Sequence, residues 1–345
     1  MRKDQIMGGL LIATLGVLVV VGMWKTSGDR QESRPAVQRE YRGVMGTDCT
    51  LAAVVLHDRQ LADAEAALGE ARASLATVES LMSSWLDDSE ISRLNTAAAD
   101  VEVPLSPQTL DVLRESKRAF ELTDGAFDVT CRPLVELWRN AAKAGKLPSE
   151  DELKQARSAS AWDLIELREN CAVKRIDTAR VDLGGIAKGY AIDRAVDVLR
   201  GNELEGGLVN VGGDLRCFGS PPTGDRWPVE VRDPSRADAL TTLRLAEGAV
   251  CTSGDYERFH EIDGRRYSHI IDPRDGSPAD AITSVTVIAP TALKADIWAT
   301  ALSVLGPEGL ERLPEAVEAM MLQSTTDGEK LRHASPGFER LRQMQ

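Results

Sequence analysis

Basic residues are in short supply: 41 Lys and Arg stand against 54 Asp and Glu over 345 residues, a formal charge of −13. A chain so acidic is a poor partner for a free nucleic-acid backbone. Cysteine is sparse and scattered, with Cys49, Cys131, Cys171, Cys217 and Cys251 forming neither a C-x-x-C pair nor a zinc spacing. These five read as small buried hydrophobes rather than as a disulfide framework. There is no internal repeat and no low-complexity tract. Hydrophobic residues at 43% and charged residues at 28% exclude a disordered, collagenous or polytopic membrane chain.

The one long apolar run is Ile6 to Trp24, 19 residues without a charge, flanked by Arg2, Lys3 and Lys25. Neither an A-x-A cleavage site nor a lipobox cysteine follows it. A spanning helix needs ~20 apolar residues, whereas a cleavable signal core is usually ~7–15 long, so an uncleaved signal-anchor is expected over residues 1–28. A polar tether is expected over 29–41 and the functional domain over 42–345. Arg2 and Lys3 on the short side favour export of the body. Residues 1–28 carry a balance of +2, which leaves −15 on the rest.

Periodicity predicts a strand over 44–56 and an amphipathic helix carrying Leu61, Ala64, Leu68, Ala71, Leu75, Val78 and Met82. Further helices are expected at 106–122, 150–161, 186–199 and 293–305. Strands are expected at 180–183, 208–211, 215–218, 227–231, 240–245, 282–289 and 317–323. The pattern implies an α+β fold in a single body after the N-terminal helix, with two subdomains possible.

Four constellations could carry chemistry. Asp182-Leu-Gly-Gly-Ile-Ala-Lys-Gly-Tyr190 enters a helix through Gly184-Gly185, where backbone N–H groups and Lys188 could cradle a phosphate. A structural strand-to-helix turn explains the glycines equally well, and the spacing matches neither generic nucleotide-binding motif. Asn210-Val-Gly-Gly-Asp214 is either a hairpin turn or a turn whose polar residues face a ligand. Of only four histidines, His269 alone sits among hydroxyls and carboxylates, in Tyr267-Ser-His-Ile-Ile-Asp272, where it is either a structural residue or a general base. Asp296 and Thr300 share one face of a helix, as hard-cation ligands would, although that spacing is also common on solvated faces.

Taken together and in order, Met45-Gly-Thr47, Ser89–Asn95, Gly125–Thr130, Asp182–Tyr190, Asn210–Asp214, Thr252–Tyr256, His269–Gly276 and Ala295–Ala301 resemble the ApbE family of FAD:protein FMN transferases. The resemblance implies an exported, periplasm-facing transferase of the inner membrane. Such an enzyme moves the FMN moiety of FAD to a Thr or Ser hydroxyl of a partner protein, releases AMP and requires Mg²⁺. It implies an FAD site lined by Met45, Trp85, Ala126, Phe127, Asp128, Asp182, Lys188 and Ile271. Gly185 (through its carbonyl), Asp296 and Thr300 would hold the metal. His269 is the first choice for the base and Asp272 the second. Alternatives are an FAD pyrophosphatase and a membrane-tethered flavin carrier without catalysis.

Overall fold

The computed structural model describes residues 33–232, 239–254, 259–324 and 330–343. The signal-anchor expected over 1–28 lies outside these residues. Among the described residues no helix is long and apolar enough to cross a membrane.

The chain opens with β1 (Ala36–Val44) and β2 (Thr47–Val54), joined at Met45-Gly46, whose φ values of 51° and 77° suit a tight hairpin turn. Two expectations change here. The strand foreseen over 44–56 is present as β2 but starts only at Thr47, after a reversal at Met45-Gly46, and the tether foreseen to residue 41 is already sheet from Ala36. The helical section follows as α1 (Leu61–Met82), α2 (Glu90–Thr96), β3 (Glu102–Pro104), α3 (Pro107–Leu122), α4 (Arg132–Ala144) and α5 (Glu150–Ser158). Local chemistry sets their starts. Ser106 accepts from Thr109 N–H with Pro107 in the first turn, and Ser149 forms a capping box with Glu152.

Next come β4 (Ile165–Leu167), β5 (Cys171–Lys174), α6 (Ala187–Arg200), β6 (Gly206–Val211), β7 (Asp214–Gly219), β8 (Trp227–Arg232) and β9 (Ala239–Leu245). The chain then forms β10 (Gly248–Gly254), β11 (Phe259–Ile262), β12 (Arg265–Ser268), β13 (Ser284–Ala289), α7 (Ala292–Leu305), β14 (Glu318–Ser324), β15 (Lys330–Ala334) and α8 (Pro336–Gln343). The strand expected at 180–183 is absent. That segment joins no ladder: the Asn95 side chain takes both backbone groups of Val181, and the Val129 carbonyl takes the Asp182 N–H.

The main sheet runs β1-β2-β6-β7-β10-β13-β14-β15, antiparallel throughout. Both faces are covered. Cys49, Leu51 and Ala53 point to the core under α1, α6 and α7, while Ala52 and Val54 point to a second core roofed by the β8–β9 hairpin and α8. A sheet buried on both sides leaves apolar runs rather than alternation, which is why its central strands read as continuous hydrophobic stretches. The first core also contains Ile91, Leu94, Leu110 and Trp162, so the helical section and the sheet share one interior. A third, small cluster (Leu134, Trp138, Ala141, Ile262, Ile271) fastens the β11–β12 hairpin and the loop after it to α4.

Candidate active site

The site gathers where α6 begins, α7 passes and the Gly125–Thr130 turn approaches. Asp182 starts it: Oδ1 accepts from Gly184 N–H at 2.8 Å, folding the chain into the glycine turn, and Oδ2 faces Arg132 Nη1 at 3.2 Å. Its own N–H donates to the Val129 carbonyl at 2.7 Å, next to Asp128. A methyl group at Gly185 would lie 2.8 Å from Thr300 Oγ1, 3.2 Å from Thr300 Cγ2 and 3.3 Å from the Phe127 ring. The expected metal residues Gly185 and Thr300 and the expected flavin residue Phe127 therefore meet. Only the absence of a side chain at 185 makes room for them.

Deeper in, the carboxylates outnumber the cations. Lys188 Nζ pairs with Asp214 Oδ2, whose Oδ1 accepts from Thr252 N–H at 3.0 Å. Asp296, 4% exposed, takes Gly189 N–H at 2.9 Å from the first turn of α6. Burial pushes its pKa up to about 7; Lys188 opposes the rise, and Asp214 and Asp193 add to it. Burial also works against the charge on Lys188, but Asp214 and Asp296 overcome it and raise the ammonium pKa. Two buried carboxylates thus share one ammonium. Lys188 and the α6 donor at Gly189 are each paired with an acid of the protein.

The donor set suits a hard cation. Among the described residues there is no cluster of three or more His, Cys, Asp or Glu that could hold a metal. The Thr300 hydroxyl faces the turn at Gly185, and Asp296, with excess negative charge behind it, sits one helical turn before Thr300 on α7; these are oxygen donors of the kind Mg²⁺ takes while keeping several waters.

The remaining expected residues spread outward. Ala126 and Phe127 are buried, with Phe127 N–H held by Thr123 Oγ1 at 3.0 Å. Asp128 Oδ1 accepts from both Thr130 N–H and Oγ1 at 2.7 Å, yet burial dominates and lifts its pKa to about 6. Met45 occupies the left-handed β1–β2 turn and donates its N–H to Glu79 Oε2 at 3.1 Å. Trp85 is 76% exposed with the Arg139 guanidinium 4.9 Å from its ring centroid, an aromatic platform open on its other face. Among the described contacts, neither Met45 nor Trp85 touches the Gly185 cluster. Ile271 spends its side chain in the small core against α4.

The two base candidates separate. Asp272 is gripped by Arg274 through Nε at 2.8 Å and Nη2 at 2.7 Å. Burial pushes its pKa up, but the bonds from Arg274 win and the net shift is downward, which suits an anchor better than a proton acceptor. His269 is half-buried, between Ser268 at the end of β12 and the loop carrying Asp272. That loop returns to the site, since Arg274 Cγ lies 3.7 Å from the position of a methyl group on Gly125.

Sequence reasoning passed over Arg132, Arg139 and Asn95. The two arginines are seven apart on α4, a helical repeat that could have marked a basic stripe beside the motif Gly125–Thr130. Asn95 closes the motif that begins at Ser89.

The ApbE family model matches residues 45–321. The FAD:protein FMN transferase of Vibrio cholerae serotype O1 is 34% identical over 337 residues, covering 95% of this chain and 97% of that protein. The enzyme of the same name from Treponema pallidum is 34% identical over 284 residues, covering 77% and 78%. Among solved structures, the flavin transferase ApbE from Vibrio cholerae superposes with a TM-score of 0.76 at 31% identity, covering 89% of this chain and all of that one. The apo flavinyl transferase ApbE of Pseudomonas stutzeri gives 0.76 at 29% identity, covering 90% and 98%.

Proposed function

The chain belongs to the ApbE family, and from that premise we propose that it is a Mg²⁺-dependent transferase that moves the FMN moiety of FAD to a Thr or Ser hydroxyl of an acceptor protein and releases AMP. The observation that carries the reading is the buried pair Asp214 and Asp296 sharing Lys188, with Thr300 one turn beyond Asp296 and pressed against Gly185. A body at −15 repels a diphosphate, and its local cations are already paired, so the anionic substrate needs a cation of its own.

Asp296, Thr300 and the Gly185 carbonyl would hold that cation. When bound, Mg²⁺ supplies charge neutralisation at the diphosphate, favouring both attack at phosphorus and departure of AMP. The protein's residues do the rest. The Phe127 ring and the Asp182–Gly185 turn shape the wall against which the diphosphate lies, and Trp85, backed by Arg139, offers a face for stacking a planar ring. His269 takes the proton from the acceptor hydroxyl as its oxygen bonds to the phosphorus of the FMN half and the bridging P–O bond to AMP breaks. Asp272, locked by Arg274, holds the loop on which His269 rides. We further propose that Ile6–Trp24 tethers the body on the outer side of the cytoplasmic membrane, a reading supported by the length of that run and by its basic flanks.

Incubation with FAD, Mg²⁺ and a flavin-acceptor domain tests the reaction: the acceptor gains the mass of FMN less one water, as a phosphoester requires, and AMP appears in equal amount. An acceptor of unchanged mass refutes it. Free FMN formed without acceptor identifies a pyrophosphatase instead. Asp296→Ala abolishes turnover in a transferase and leaves flavin binding largely intact in a carrier.

A further inference from the structure

The segment that delivers the chain into the site, residues 180–183, has no strand beside it. Two contacts hold it: the Val129 carbonyl takes the Asp182 N–H, and one side chain takes both backbone groups of Val181. Asn95, in the last turn of α2 and 6% exposed, meets Val181 with both ends of its carboxamide. Nδ2 donates to the Val181 carbonyl at 2.8 Å and Oδ1 accepts the Val181 N–H at 2.7 Å. A neighbouring strand residue would offer the same paired donor and acceptor. Asn95 is itself braced from behind. Lys174 at the end of β5, 1% exposed, donates from Nζ to the Asn95 carbonyl at 2.9 Å and to the Asp177 carbonyl at 3.1 Å.

The next residue, Asp182, is the one that folds the glycine turn, and three positions further Gly185 meets Thr300. The clamp therefore sits immediately upstream of the groups that must be placed to a fraction of an ångström. We propose that Asn95 is a positioning residue for flavin transfer, its carboxamide setting the height of Val181 and thereby the placement of the Asp182 carboxylate and the Gly185 carbonyl. The inference rests on the function proposed above for those two groups. Neither of its nearest relatives substitutes. Aspartate cannot donate to the Val181 carbonyl while ionised, and glutamine is one methylene too long for a buried slot.

The test compares the full chain with Asn95→Asp and Asn95→Ala in two measurements. Hydrogen exchange without flavin or metal reads the clamp itself. Amides from Val181 to Ile186 should exchange about tenfold faster in both variants, while those of β10, β13 and α7 keep their rates. Fluorescence titration with FAD at saturating Mg²⁺ reads the consequence: the dissociation constant should rise about tenfold, with the melting temperature of Asn95→Asp lowered by only a few degrees. Exchange that rises uniformly, or not at all, overturns the proposal. So does unchanged FAD affinity in a variant whose 181–186 segment has loosened, since Asn95 would then be a tie of the fold alone. If Asn95→Ala fails to fold, Asn95→Asp, which keeps the shape and the acceptor, decides. Loss of flavin transfer from the unsubstituted chain would instead count against the proposed function, and the exchange measurement is independent of it.

Discussion

Replacing Gly185 with alanine probes the site at its tightest point. The backbone permits the change, since Gly185 is not among the glycines with positive φ. Space does not: the new methyl falls 2.8 Å from Thr300 Oγ1 and 3.2 Å from Cγ2, so turning the Thr300 side chain exchanges one obstruction for another. Retreat the other way is blocked by the buried Phe127 ring at 3.3 Å. A comfortable contact needs at least 3.4 Å, so the turn and α7 must part by roughly half an ångström or more. Overpacking of this kind costs about 1–3 kcal/mol. Displacing a ligand-bearing turn by up to about 1 Å costs about a hundredfold in rate. Denaturant unfolding and flavin transfer at saturating FAD and Mg²⁺ measure the two effects. The double variant Gly185→Ala/Thr300→Ala separates them: removing both Thr300 atoms should return stability to within about 1 kcal/mol of Thr300→Ala alone. Transfer should stay lost, because the hydroxyl is also a metal donor. An alanine at 185 with wild-type rate and stability, or a double variant with no recovered stability, refutes the packing argument.

Three further outcomes are expected. Lys188→Met leaves Asp214, whose side chain is 3% exposed, without its counter-charge and should cost about 3 kcal/mol in urea unfolding; a loss below about 1 kcal/mol would show that Asp214 does not depend on the ammonium. Asp128, with a pKa raised from 3.8 to about 6 in the fold, is penalised only when ionised. Its contribution should therefore fall by up to about 3 kcal/mol as pH rises from about 4 to about 6, a decline absent from Asp128→Asn in unfolding titrations. His269→Gln should lower kcat by ~10²–10⁴ while FAD affinity stays within about threefold, and a variant with undiminished kcat removes His269 from the chemistry.

The long helix α1 and the central strands were legible because their burial is periodic or continuous over many residues. Asp296 and Thr300 were legible for the same reason, a spacing fixed within one helix. What escaped was set by contacts between distant parts of the chain. The 180–183 segment leads into the glycine turn as a strand would, but the partners of Val181 and of the Asp182 N–H are a carboxamide 86 positions upstream and a turn carbonyl. The commitment of Lys188 to Asp214 depends on how a helix start and a hairpin turn abut, which no local pattern records. The Met45-Gly46 reversal was hidden because Met45, a residue that rarely adopts positive φ, occupies its first position.

The early start of β1 bears on where the reaction can happen. The sheet begins at Ala36, and only Lys25 to Pro35 separate it from the apolar run ending at Trp24. Covalent geometry limits those residues to about 40 Å even when fully stretched. Tethered as proposed, the enzyme works on a short leash, held within about one protein diameter of the bilayer. Acceptors that are themselves membrane-bound would meet it at high effective concentration in a thin layer, whereas a freely diffusing acceptor would have to come to the surface.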